Sequence, residues 1–314
     1  MDPVVLVLTV VMLGIVLVLF YNNRTTTEPR SMLKLYAKDL TYLAQQKALD
    51  PVIGREHEIS KVIEILSRRK KNNPLLVGRA GVGKTAIVDG LANAIAKGAV
   101  PVILRQKRVL SLDLSSLVAG TKYRGEFEKR LKNLLNEIIA GKRNIILFID
   151  EIHSLAEAGG AEGAIGAEDI LKPVLSDGEL QLVGATTFSE YHKFIEPNTT
   201  MERRFQVVTI NEPDDNEVRQ ILLGLRPRYE DFHKVKVSEA AIERIIKASH
   251  QVMPERVMPD KAIDLLDEAC SKVKIERVEN PAKNNDQEAR VEPQHIDQVV
   301  ADWGESLVGH ETNV

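Results

Sequence analysis

The chain has 314 residues, 44% of them hydrophobic and 28% charged, a balance that fits one large globular domain and a smaller one. Its 42 Lys and Arg against 45 Asp and Glu leave a formal charge of -3, so there is no basic excess to neutralise a phosphate backbone and no nucleic-acid partner is expected. Cys270 is the single cysteine, which excludes an intrachain disulfide and a thiolate metal cluster.

The first predicted element is the apolar run "PVVLVLTVVMLGIVLVLF", Pro3 to Phe20, with Thr9 its one polar side chain. As a helix it would reach about 27 Å, against roughly 30 Å for the hydrocarbon core of a bilayer. A cleaved signal peptide is the alternative, but Asp2 stands where that needs a positive charge, and the run ends in Leu19, Phe20 and Tyr21 with no small-residue cleavage site. Residues 1–21 are therefore expected to be an uncleaved transmembrane anchor. Arg24, Arg30, Lys34 and Lys38 all follow the span, so a single-pass protein would hold its remainder on the cytoplasmic side.

Residues 22–48 read as a polar linker and an N-terminal helical segment. From 49 to 212 strand and helix patterns alternate. "PLLVG", "RVLSLDL", "NIILFID", "LQLVGAT" and "FQVVTI" are strands, the third unbroken in hydrophobicity and so buried on both faces. "KTAIVDGLANAIA" and "GEFEKRLKNLLNEIIA" are helices, the latter with an apolar stripe at 127, 131, 134, 135, 138 and 139. Strands separated by helices predict an α/β fold with a parallel sheet covered on both sides. Beyond Pro213 the β pattern stops, and helical periods predict a small all-α domain over 213–304, interrupted by a polar loop at 279–292 and followed by a tail at 305–314. Cys270 falls among apolar helical positions and reads as a small buried hydrophobe.

"GRAGVGKT", Gly78 to Thr85, follows the first strand and opens a helix. Its glycines let backbone N–H groups curl around phosphates, and the helix N-terminus adds positive potential. Lys84 is expected on the β- and γ-phosphates and the Thr85 hydroxyl on Mg²⁺. Gly78, Ala80, Gly81, Val82, Gly83 and Ala86 complete the nucleotide-binding stretch. Asp150 and Glu151 end the third strand: the aspartate suits Mg²⁺ and the glutamate suits activation of the attacking water, which makes hydrolysis rather than transfer to a second substrate the expected outcome. His153 reads as a packing or hydrogen-bonding residue, and the scattered histidines suggest no zinc site.

"LDPVIGR", "SRRKKNNPLLVGRAGVGKTAIVDGLA", "KRVLSLDL", "LVAGTKYRGEFEKRLK", "NIILFIDEIHSL", "LKPVLSDGELQLVGATT", "MERRFQ" and "MPDKAIDLLDEA", in that order, resemble the first ATPase domain of the Clp-type AAA+ unfoldases, over about Ser31 to Gly309. The resemblance implies a five-stranded parallel sheet of order 5-1-4-3-2, a helical lid, ATP and Mg²⁺ as cofactors, and a hexameric homo-oligomer acting on polypeptides. It implies a sensor role for Thr187 and arginine fingers at Arg203 and Arg204, which otherwise read as a surface pair. Val52 and Ile53 would line the adenine site, and Pro259 and Lys261 would belong to a lid helix closing over the nucleotide. Arg79 and Ala80 depart from the family, which usually has Glu-Pro there.

Tyr123, between Lys122 and Arg124 and near Gly120 and Gly125, stands four residues before Phe127 and could be a hydrophobic staple. By resemblance "GTKYRG" is instead a pore loop whose aromatic grips an extended polypeptide, and "AGGAEGAIGAED" (158–169) holds the place of a second. The family's globular N-terminal domain and second ATPase domain have no counterpart, so docking to the ClpP peptidase is not expected. The function implied is a membrane-tethered ring that remodels or unfolds proteins; the alternative is a nucleotide-dependent assembly scaffold or switch.

Overall fold

The computed structural model describes residues 31–311 apart from 122–123, 141–143, 158–169, 172–173, 176–179, 253–254 and 280–288. The expected anchor at 1–21, the polar stretch that follows it, Lys122 and Tyr123, and the second loop at 158–169 therefore lie outside the described residues. Among the described residues no helix is long and apolar enough to cross a membrane.

The larger unit is a sheet of β1 (Ala37–Asp39), β2 (Asn73–Val77), β3 (Arg108–Leu112), β4 (Ile145–Ile149), β5 (Gln181–Thr186) and β6 (Phe205–Thr209). Their order across the sheet is β1-β3-β4-β5-β2-β6. β2 to β6 are mutually parallel, but β1 pairs antiparallel with β3, Ala37 opposite Leu112. The expectation of a five-stranded parallel sheet is thus corrected to a mixed six-stranded one: β1 is added at one edge, while the five parallel strands, β6-β2-β5-β4-β3, keep the relative order 5-1-4-3-2. The reason is local: "AKD" is too short and polar to read as a strand, and only the free edge of β3 supplies its partners. In the N-terminal segment before residue 49, Leu40 and Ala44 of the helix Leu40–Gln45 are buried in the core.

Side chains alternate across the central strands. Leu75 and Val77 of β2 with Leu147 and Ile149 of β4 face a core closed by the helix Arg124–Ala140, through Phe127, Leu131, Leu134, Leu135 and Ile138. Leu76, Ile146, Phe148 and Val183 face the opposite core, closed by the helices Glu56–Leu66 and Lys84–Ala96. Burial on both faces is why these strands read as unbroken apolar runs. It also fixes where the parallel strands end together, and the site stands at those C-terminal ends.

The smaller unit has its own core around Leu222, Ile245, Leu265, Leu266 and Val299, built by the helices Asp215–His233, Glu239–Gln251, Asp260–Glu279 and Pro293–Glu311. Here too the all-α expectation is corrected: β7 (Lys236–Val237) and β8 (Arg290–Val291) form a short parallel pair. Two residues per strand are too few for a period to show. Cys270 is fully buried, and burial, with Asp267 and Glu230 nearby, pushes its thiol up to about 12.

Candidate active site

The loop after β2 bends sharply because Gly81 and Gly83 take φ of +80° and +91°, a region L side chains rarely adopt. A side chain at Gly78 would meet the Ile210 carbonyl at 2.5 Å, so the loop must pass β6 as bare backbone. Lys84, first in its helix, donates from Nζ to the carbonyls of Gly78 and Arg79, each at 2.9 Å. Burial holds its ammonium below the usual lysine range, opposed by the charges of Asp150, Glu190 and Glu151.

At the end of β4 the Thr85 hydroxyl donates to Asp150 Oδ2 at 3.1 Å. A hydroxyl and a carboxylate side by side are hard oxygen donors of the kind Mg²⁺ takes, usually with phosphate and water oxygens completing the shell. No cluster of three or more acidic, His or Cys groups among the described residues offers an all-protein metal cage. Glu151 turns away from the strand with φ of +47°, a left-handed backbone in a residue other than glycine. That conformation costs about 1–2 kcal/mol. Its amide donates to Asp150 Oδ1 at 3.0 Å, which helps to hold the turn and presents the carboxylate to the cleft.

β5 ends beside them. Thr187 caps the next turn, its hydroxyl donating to Glu190 Oε2 at 2.6 Å, while the buried Thr186 hydroxyl lies 3.1 Å from His153 Nδ1. His153 also stacks on Phe194, so its expected packing and hydrogen-bonding role is what it has here. Burial would raise the Glu190 carboxyl, but the Thr187 hydrogen bonds outweigh it and hold the group below the usual range.

These groups share one cleft of about 460 Å³, ample for a small-molecule ligand. Val52, Ile53, Ala80, Gly81, Val82, Gly83, Lys84, Thr85, Ala86, Asp150, Glu151, Thr187 and Pro259 all line it, with Ile221, Leu225, Tyr229 and Ile263 making an apolar end under the helical lid. Gly78 contributes its carbonyl to Lys84 without lining the cleft. Lys261, in the first turn of the helix Asp260–Glu279, is buried and is not among the residues that line the cleft. Arg203 and Arg204 also lie elsewhere. They precede Phe205, which pairs with Asn73 at the start of β2, whereas the phosphate loop follows Val77 at its end. The separation along the sheet is roughly 17 Å.

Sequence reasoning missed several lining groups. Arg55 is buried and donates to the carbonyls of Val82, at 2.8 Å, and Asn211, at 3.1 Å, tying the segment before the first helix to the loop. Asp89 faces the cleft with its carboxyl pushed up to about 6 by burial, Lys38 opposing and Asp50 reinforcing. Tyr229 is pushed up to about 12 by burial and by Asp267, Asp50 and Asp264. A signal existed for Asp89 alone: an acid on the otherwise apolar flank of "KTAIVDGLA".

A phosphate-cradling loop, a hydroxyl–carboxylate pair, a strained acid and a helical lid over one cleft define a P-loop ATPase of the lidded kind. Residues 74–212 match the AAA family, "ATPase family associated with various cellular activities", and residues 214–302 match the AAA lid domain. The chain is an AAA ATPase domain with its lid, homologous to the Clp-type ATPases ClpC and Hsp104. It is 55% identical over 256 residues to "Negative regulator of genetic competence ClpC/MecB" of Bacillus subtilis, covering 82% of this chain and 32% of that protein. It is 55% identical over 271 residues to "ATP-dependent Clp protease ATP-binding subunit ClpC" of Staphylococcus aureus strain USA300, covering 86% and 32%. Two Hsp104 structures, one with ATPyS and FITC casein and the other the Saccharomyces cerevisiae Hsp104-ADP complex, superpose with TM-scores of 0.77 and 0.76 at 42% identity. Each covers 86% of this chain and 45% of its own. The chain thus spans about a third of the curated ClpC relatives, 32%.

Proposed function

We propose that this chain hydrolyses ATP within a homo-oligomeric ring, a hexamer, and uses the cycle to unfold or remodel polypeptides, held to a membrane through residues 1–21 with the ATPase on the cytoplasmic side. The observation that carries the reading is the convergence of Lys84, Thr85, Asp150, Glu151 and the lid on one cleft while Arg203 and Arg204 stand at the far end of the same sheet. Loop amides and Lys84 bind the phosphates, and Val52, Ile53, Ile221 and Leu225 take the base. Thr85 and Asp150 would hold Mg²⁺, whose charge offsets that of the phosphates. Glu151 accepts the proton of the attacking water, and Thr187 and Glu190 orient it. The arginine pair, too distant to serve its own cleft, acts on a neighbour's, where such a finger contributes about 10³–10⁵ in rate.

That Hsp104 structures carry casein supports a polypeptide substrate. Tyr123 would then be the grip, since an apolar ring holds any side chain sequence. Membrane tethering rests on the apolar run at 3–20 and the basic residues after it. Two measurements test the reading. Glu151→Gln should lower ATP turnover by about 10²-fold or more while ATP still binds; turnover at the wild-type rate rejects the base. Tyr123→Ala should keep hydrolysis and lose unfolding of a tagged substrate. Unfolding that survives rejects Tyr123 as the grip, and ATP turnover indifferent to any added polypeptide favours an assembly scaffold instead.

A further inference from the structure

Arg79 is the second residue of the phosphate loop, and the cleft itself makes no use of its side chain. Its carbonyl accepts from Lys84 Nζ, but its guanidinium turns outward, donating from Nη1 to Glu212 Oε2 at 3.4 Å and from Nη2 to the Glu255 carbonyl at 3.2 Å. Glu212 stands in the connection between β6 and the lid. Its other oxygen, Oε1, accepts from the Met258 amide at 2.7 Å, and Pro259, the next residue, lines the cleft. A continuous path thus runs from the phosphate loop through Glu212 to the lid segment that borders the cleft. Loop and lid also come close here: a Cβ on Gly81 would lie 2.8 Å from Asp260 Cβ. At the base end the lid is tied separately, by Arg228 Nη2 donating to the carbonyls of Lys47 and Leu49, each at 2.9 Å.

We propose that Arg79 and Glu212 latch the lid to the phosphate loop and so set how fast nucleotide leaves the cleft. The inference rests on the nucleotide reading above. A ligand between two units joined by one connection departs when they part, and lid opening of this kind limits product release in many enzymes. Arg79 acts as a positioning residue: it touches the lid and its hinge. Its side chain is 54% exposed and that of Glu212 36%, so the latch is weakened by salt.

The test is release of N-methylanthraniloyl-ADP from the full chain by stopped flow, chased with unlabelled ADP. Arg79→Ala and Glu212→Gln should each speed release about two- to fivefold, in keeping with a partly exposed pair, and the double variant should add little to either. Glu212→Gln retains an acceptor for the Met258 amide, which separates loss of the latch from loss of the fold. Arg79→Glu, facing Glu212, should speed release about tenfold, and the exchanged pair Arg79→Glu with Glu212→Arg should return to within about twofold of wild type. Raised salt should shrink the wild-type advantage over Arg79→Ala. Unchanged release in Arg79→Glu overturns the latch. So does an effect of Arg79 variants that Glu212→Gln does not share and the exchange does not rescue, which would assign the guanidinium to the phosphates directly. A wild-type chain that binds no labelled ADP overturns the nucleotide reading and the latch together.

Discussion

Asp89 shows how burial tunes a single group in the cleft. Its folded-state carboxyl titrates near 6, above the ordinary 3.8, so the folded chain holds this proton more tightly than the unfolded one. The stabilisation is complete below about pH 4 and lost as pH rises through about 6, leaving an unfavourable carboxylate at pH 8. Asp89→Asn removes that charge at constant shape. The full shift corresponds to about 3 kcal/mol, but the side chain is only half-buried and solvent screening leaves ~1 kcal/mol. Thermal unfolding at pH 8 should show the variant more stable than wild type, and the gain should shrink at pH 5. An equal gain at both would mean that packing, not charge, is the cause. Glu151 is the other residue whose environment argues for use, because a backbone in the left-handed region at a strand end is retained against its cost.

Among the elements, the lid helix Asp215–His233 shows how closely the two units fit. A Cβ at Gly224 would lie 1.7 Å from Ile53 Cδ1, at the apolar end of the cleft. Gly224→Ala should favour the helix by up to about 1 kcal/mol. It should also drive the Ile53 side chain out of its place and weaken nucleotide binding several-fold. Titration with a fluorescent ATP analogue, together with thermal unfolding, separates the two effects, and shortening Ile53 to Val in the same chain should restore part of the affinity. Wild-type affinity in Gly224→Ala alone would show that Ile53 has room to move without touching the ligand. The edge strand β1 belongs to this scale as well: Arg108 pairs with Asp39 at 2.7 Å and the Val109 amide donates to the Thr41 hydroxyl at 2.8 Å, fastening the first described residues to the sheet.

For the whole molecule the decisive question is whether one subunit completes the site. Arg203 and Arg204 lie at the start of the parallel strands and the phosphate loop at their end, so the sheet itself keeps the two apart within a chain. Replacing both by Ala should leave nucleotide binding intact and reduce turnover by about 10³-fold. Mixing that variant with Glu151→Gln should recover activity, because some interfaces then pair an intact base with an intact arginine donor. No recovery in the mixture, with each variant still able to bind ATP, would place the arginines outside the reaction. On the proposed ring, turnover per subunit should also rise with protein concentration.

The phosphate loop, the acid pair after β4, the buried strands and the helical lid were legible in the sequence because each is written in consecutive residues. Glycines permit a bend where they stand, and an apolar period declares its own face. Val52, Ile53 and Pro259 were reached only through resemblance, since nothing local marks them as neighbours of the loop. What only the tertiary structure decided are juxtapositions between distant parts: Arg55 against Asn211, 156 residues on, Arg79 against Glu212, 133 residues on, Gly224 against Ile53, and β1 on the free edge of β3. Such contacts depend on how two packed layers and a lid come to rest on one another, and no periodicity along the chain encodes that distance.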